Sequence, residues 1–428
     1  MDSTVKQRIE QIKCGEIPAG YKKTEFGVFP CDWITDKKLK DIGSFGKGRG
    51  IPGERMQSEG VPCVGYGDIY MKYNFHFEKA QSFVDEETAK ESQLIKKGTL
   101  LFTGTGETAD EIGKCVCYNG EDDIYAGGDI ITFTTDQVNP LFIAYQQYQS
   151  FSLKKKAGVG QGHSVVHIQK ENLEKLNVAY PPSLEEQSRI AEILMKWDEA
   201  IELYQQLIEK LNKLKRSALA NLFPQKGHAA PKHRFKGFTD PWEQRKLGDI
   251  SDSYSGGTPT AGKAEYYGGS IPFIRSAEIN SDSTELFLTE EGLNNSSAKM
   301  VSKGDILYAL YGATSGETGL AQIDGAINQA ILDIKPHDNF DVSFIMQWLR
   351  KSKSNIIGTY LQGGQGNLSG TIVTSLMIDC PTYEEQKKIG EFLTKLNDTI
   401  TLHQHKLDTI RKQRAILQQY LLNGIVRV

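Results

Sequence analysis

The chain is short of cysteine, of long apolar runs and of surplus positive charge, and each shortage excludes something. Six cysteines occur in 428 residues, at 14, 31, 63, 115, 117 and 380. Only Cys115-x-Cys117 forms a close pair, and no second pair completes a four-ligand zinc set. They read as reduced cytosolic thiols. No apolar stretch approaches the ~18 residues that a membrane span requires. Residues 1–13 are charged and amphipathic, unlike a secretion signal. A cytoplasmic protein is therefore expected. Fifty basic against 54 acidic residues leave a formal net charge of −4, so any surface for nucleic acid has to be a local basic patch or part of a larger complex. The remaining composition, 39% hydrophobic and 24% charged, is that of an ordinary globular protein, and the length points to two or three domains.

What the chain does have is an internal repeat. PPSLEEQSRIAEILMKWDEAI (181–201) and CPTYEEQKKIGEFLTKLNDTI (380–400) align at an offset of 199 residues, with Glu185/Glu384, Glu186/Glu385, Gln187/Gln386, Ile190/Ile389, Leu194/Leu393 and Ile201/Ile400 in register. Upstream, Trp33 precedes LKDIG as Trp242 precedes LGDIS. KKGTLLFTGTGET (96–108) matches SKGDILYALYGATSGET (302–318), and GQGHSVVHI (160–168) matches GQGNLSGTI (364–372). Four blocks in one order establish a duplication.

Each repeat opens with short β-type runs bounded by glycines, such as TLLF, DIITFT, DILYAL and AILDI, which predict a mixed α/β domain. Each ends in a long helix. Ser183-x-x-Glu186 and Thr382-x-x-Glu385 fit capping boxes with a proline just outside. Behind them apolar residues step by four and three for four to five heptads, from Ile190 to Leu222 and from Ile389 to Leu421. At about 39 residues each, the helices would be ~58 Å long. Chain continuity predicts an antiparallel coiled-coil pair holding two similar domains apart, with an approximate two-fold axis. Both seams are interrupted at one equivalent place by a base, Lys215 and Arg414. The expected reading is a snorkelling side chain where the helices splay; the alternative is a contact to a partner or to DNA phosphate. Residues 1–13, with Val5, Ile9 and Ile12 in a helical stripe, resemble the last turns of the first long helix and are expected to pack near the second. The predicted organisation is thus 1–23, an N-terminal helix; 24–182, a first α/β domain; 183–224, a spacer helix; 225–382, a second α/β domain; and 383–428, a second spacer helix.

Several motifs suggest chemistry without completing it. Gly257-Thr-Pro-Thr-Ala-Gly262-Lys263-Ala264 lacks the Ser or Thr that holds magnesium in a phosphate-binding loop. Gly104-x-Gly106 has no counterpart in the second repeat and reads as a strand-end turn. Tyr180-Pro-Pro-Ser183 lacks the amide or acid of an amino-methyltransferase motif. His163/His167 and His403/His405 have no third ligand at suitable spacing, and His403 falls in the helix seam in register with Tyr204. No nucleophile, base or metal set emerges, so a non-enzyme is expected, with no cofactor in this chain.

Polar, glycine-rich loops interleaved with bases and aromatics remain. Glycines let backbone approach a ligand, lysines meet phosphates, and Arg, Gln and Asn pair with base edges. The first repeat nominates Lys47, Arg49, Tyr66, Thr105, Lys154, Lys155, Lys156, Gln161 and His163 as DNA-binding residues. The second nominates Thr258, Arg275, Ser276, Tyr311, Thr314, Gln365 and Asn367.

The whole chain resembles the specificity subunit family of Type I restriction–modification enzymes. The resemblance is carried by GYKKTEFGVFPCDW (20–33), RFKGFTDPWEQRKLGDI (234–250), SGGTPTAGKAEYYGGSIPFI (255–274) and the paired helix starts PPSLEEQ and CPTYEEQ. It implies two target recognition domains, each reading one half of a split sequence in double-stranded DNA. It implies helices that dock two modification subunits, in a bacterial cytoplasm. The modification subunits would bring S-adenosylmethionine and methylate adenine, and restriction subunits would cleave DNA using ATP and magnesium. The first domain departs from the pattern, with GKGRGIPGERMQSEGVPCV where the second has GGTPTAGKAEYYGGSIPFI, so different half-sites are expected. An orphan DNA adenine methyltransferase and a bivalent protein-binding adaptor are the alternatives.

Overall fold

The computed structural model describes residues 3–160, 165–225, 227–361 and 367–428. The chain forms two compact units, Met1–Leu203 together with Leu407–Val428, and Tyr204–Lys406. Among the described residues no helix is long and apolar enough to cross a membrane.

In the first unit, one sheet runs in the order Ser44–Lys47, Ile130–Thr134, Leu100–Thr103, Cys115–Tyr118, His76–Phe77. A second has the order Ser82–Val84, Val61–Val64, Ile124–Ala126, Gln93–Ile95. The second unit repeats the second order in full and the first order without its fifth strand. Its first sheet is Ser251–Ser255, Ile331–Pro336, Ile306–Ala309, Thr318–Leu320; its second is Phe287–Leu288, Tyr267–Ile274, Gly325–Ile327, Lys299–Val301. Even the register is kept, with Thr132 opposite Leu101 and Asp333 opposite Leu307. The class is mixed α/β, since each second sheet combines a parallel pair with antiparallel ones.

The central strands read as continuous apolar runs because both their faces are covered. Leu100–Thr103 and Ile306–Ala309 are buried throughout. Alternation then sends Leu100 and Phe102 to one core and Leu101 to another, as it does Ile306 and Tyr308 against Leu307 and Ala309. Each larger core is anchored by the tryptophan that marks the repeat. Trp33 meets Phe142 edge-on at 6.2 Å, and Trp242 meets Phe344 at 5.9 Å.

The long helices span Leu184–Asn221 and Tyr383–Leu422, 38 and 40 residues. Inside the first unit, Glu186 pairs with Arg427 and Asp198 with Arg414, so the two helical segments there run antiparallel. Inside the second, the Tyr204 and His403 rings lie 5.7 Å apart, while Ala218 shares a core with Ile389 and Leu393. That is again antiparallel.

The seam base Arg414 is neither snorkelling nor free for a partner. It is 6% exposed and closes on Asp198. The helix starts also differ from simple capping boxes. Ser183 Oγ accepts from Glu186 N at 3.3 Å, but the carboxylates of Glu186 and Glu385 are drawn to Arg427 and Arg234, because a bidentate ion pair is stronger than a bond to a neutral amide. The next residue does the fastening. Gln187 Nε2 donates to Pro181 O at 2.8 Å and its Oε1 accepts from Asn139 N at 2.7 Å. Gln386 bonds Pro381 O at 2.9 Å and Asp341 N at 3.0 Å in the same way.

The N-terminal helix Ser3–Lys13 belongs to the first unit. Arg8 donates to Ile425 O at 3.2 Å and lies over the Tyr21 ring, whose hydroxyl donates to Gly424 O at 2.6 Å.

Candidate nucleic-acid interface

In the first unit, Lys47 ends an edge strand and is exposed. The loop that follows is shaped by backbone approach. A side chain on Gly48 would stand 1.9 Å from Gly127 O, so only glycine fits. Gly50 and Ile51 then turn through positive φ, 59° and 56°. For a β-branched residue this is strained, and it is held because Ile51 is buried with Cys63, Val84 and Ala89. The turn leaves the Arg49 side chain exposed while its N–H is fixed to Ala126 O at 3.1 Å.

Beside it lies a cleft of about 600 Å³ lined by Gly50, Ile51, Met56, Tyr66, Met71 and Gly127 among others. Tyr66 is 45% and Met71 86% exposed. Asp68, at the floor, is committed internally: it accepts from Gly65 N at 2.9 Å and Ser82 Oγ at 2.9 Å and pairs with Lys72 at 2.8 Å. The cleft and Met71 were not legible in the sequence. The glycine spacing around Arg49 is the signal that pointed nearest to them.

A second group gathers where Thr105 pairs with His167, Oγ1 and Nδ1 being 3.2 Å apart. Lys154 and Lys155 are exposed on helix Ser150–Val159. Lys156 is not. It is 1% exposed, its Nζ donates to Gly113 O at 2.8 Å, and burial lowers its amine to about 8. Helical rotation turns it into the core, so, contrary to expectation, it cannot reach DNA. Gln161 and His163 lie outside the described residues.

The second unit makes a matching junction. Tyr311 bridges Asn367, and Thr314 Oγ1 donates to Tyr311 O at 3.4 Å, so three candidates from two loops come together. Thr258 is exposed and donates to Gln329 Oε1 at 2.6 Å. Ser276 is half-buried at the start of the turn Ser276–Glu278. Arg275 departs from expectation. Its Nη2 is 2.6 Å from Glu278 and 2.8 Å from Glu285, and it holds the Glu278 carboxyl down to about 2. An arginine engaged by two acids offers no net charge to a phosphate. Gln365 lies outside the described residues.

The tempting motifs have structural uses. Lys263 donates to Tyr266 Oη at 3.0 Å, and the segment after it makes only the three-residue turn Ala264–Tyr266. Pro181 O, in the Pro-Pro segment, is the acceptor for Gln187. Burial pushes the thiol of Cys117 up to about 12 and raises that of Cys115 as well. Among the described residues no three His, Cys, Asp or Glu side chains are grouped to hold a metal ion.

These features have relatives. The chain is 26% identical over 433 residues to the putative type I restriction enzyme MjaX specificity subunit of Methanocaldococcus jannaschii, covering 95% of this chain and 97% of that one. It is 25% identical over 308 residues to the MjaVIII specificity subunit of the same organism, covering 67% and 70%. The crystal structure of a Type-I restriction-modification system S subunit from M. genitalium shares the fold, with a TM-score of 0.63 at 16% identity over 91% of this chain and 96% of that one. The model of the Type I restriction modification DNA specificity domain matches residues 30–213 and again 239–412. With both of its halves matched, the chain belongs to the Type I restriction modification DNA specificity domain family.

Proposed function

We propose that this chain is the non-catalytic DNA specificity subunit of a Type I restriction–modification enzyme, reading a bipartite target with one half-site per unit. The observation that carries the reading is the family match in both halves of a chain whose two units repeat one strand order. The loops at equivalent places differ: at the end of the edge strand and just after it come Lys47 and Arg49 in one unit and Thr258 in the other, and Thr105 facing His167 in one answers to Tyr311 facing Asn367 in the other. Backbone amides and lysines position a duplex, and the divergent side chains discriminate between base pairs. Two similar readers with different tips suit two different half-sites.

The long helices dock two modification subunits. Support comes from exposed apolar side chains at one repeat position, Leu203 at 64% and Leu402 at 53% exposure. Single exposed leucines are unremarkable, but the same one twice on a charged helix marks a surface meant to be covered twice. S-adenosylmethionine would then belong to the modification subunits, and ATP and magnesium to restriction subunits. Sequencing methylated adenine in a strain with and without the gene tests the reading. A split motif should lose its methylation when this chain alone is removed; methylation that persists there contradicts it.

A further inference from the structure

The two units build the same helix seam but balance its charge differently. In the first unit, Arg414 donates from Nε to Asp198 Oδ1 at 2.7 Å and from Nη2 to Oδ2 at 3.0 Å. Tyr145 Oη donates to Oδ2 at 2.8 Å, and the guanidinium lies 4.1 Å from the Phe75 ring centroid. A buried cation is thus matched by a half-buried carboxylate.

The offset of 199 carries Asp198 onto Asn397 and Arg414 onto Lys215. The equivalent N-caps Asn139 and Asp341 carry Tyr145 onto Gln347 and Tyr148 onto Arg350. The correspondence holds in space. Tyr148 Oη donates to Cys115 O at 2.7 Å, and Arg350 Nε donates to Thr318 O at 2.8 Å, each on the matching strand. The second unit therefore keeps the cation, replaces its acid by an amide and replaces a phenol by a second cation.

Burial and the neighbouring Arg350 charge both lower the Lys215 amine, and burial lowers Arg350. Glu317, the acid nearest in influence to Arg350, is paired with Lys353. Among the described residues no carboxylate pairs with Lys215. Two amide donors at the positions equivalent to Tyr145 and Asp198 are without partners: Gln347 Nε2, on a residue 1% exposed, and Asn397 Nδ2. Buried donors are normally satisfied; Lys215 and Arg350 are half-buried, and Arg350 spends Nη2 on the neutral Asn280 Oδ1 at 3.0 Å, which leaves its charge unbalanced.

We infer that the second unit binds a small oxyanion of carboxylate or phosphate type where the first unit places its own Asp198 carboxylate. Lys215, Asn397 and Gln347 would be its ligands, with Arg350 as the adjoining charge.

Calorimetric titration of the full chain with inorganic phosphate, and separately with acetate, tests it. The wild type should saturate with one anion per chain. Asn397→Asp supplies the carboxylate internally and should give no binding heat, and Lys215→Met should give none either. Thermal unfolding provides the second readout. At an anion concentration about tenfold above Kd, the wild type should unfold roughly 3 °C higher than without anion. Asn397→Asp should start higher and stay flat. No binding heat in the wild type would overturn the site, as would equal anion dependence in all three proteins.

Discussion

Arg234 and Glu385 are joined by two parallel hydrogen bonds, Nε to Oε1 at 2.9 Å and Nη2 to Oε2 at 2.6 Å, across 151 residues of sequence. Arg427 grips Glu186 likewise at 2.5 and 2.8 Å and adds Asp32. Both arginines follow the end of a long helix, and both glutamates sit in the first turn of the other. Each unit is thereby fastened by the segment that leaves one long helix onto the start of the second.

Removing one partner leaves a buried charge. Glu385 is fully buried, so Arg234→Ala should cost about 3–5 kcal/mol. Arg234→Lys should fall between, because an ammonium cannot reproduce the fork. Arg427→Ala should cost less, since that side chain is 38% exposed. Urea midpoints at unchanged slope measure all three.

Asp333 makes stability depend on pH. It is fully buried, with the Lys335 amine at 3.6 Å and the Tyr254 hydroxyl beside it. Burial raises its carboxyl from 3.8 to about 6. As pH rises past 3.8 the unfolded chain loses this proton first, so stability falls, and the full loss is present above pH 6. Asp333→Asn should therefore stabilise the protein at pH 7.5 by on the order of 2–3 kcal/mol and hardly at pH 4. Melting temperatures of the two proteins at both pH values check the widening gap.

Much of the fold was legible because the duplication supplied its own control. A lone EEQ would be an unremarkable helix start; its recurrence at Gln187 and Gln386 marked a joint, though not that both glutamines would clamp a second helix. The apolar period gave the long helices, and glycine-bounded runs gave the strands. Side-chain direction was not legible. Three consecutive lysines look alike in sequence, yet one helical step turns Lys156 inward while Lys154 and Lys155 face water. Arg275 likewise looked free until Glu278 and Glu285, three and ten residues on, folded against it.

This difference separates contact from structure in DNA binding. Lys47→Ala and Arg49→Ala should each reduce the slope of log K against log salt by roughly 0.9 if each meets one phosphate. Lys156→Met should leave the slope unchanged and alter only thermal stability. Fluorescence anisotropy of the assembled complex at several salt concentrations gives the slopes.

Leu203→Glu and Leu402→Glu should each leave one modification subunit bound instead of two, and the double variant none. Both positions are exposed, so folding stability should shift by no more than about 0.5 kcal/mol. Native mass spectrometry of the assembled complex counts the subunits.

Independent reading by the two units is tested most directly by exchange. Residues 233–380 are replaced with the matching segment of a relative that has another target, and methylated adenines are mapped across the genome. One half-site should change to the relative's while the other half-site stays as it was. A map in which both half-sites change, or neither does, would contradict the assignment of one half-site to each unit.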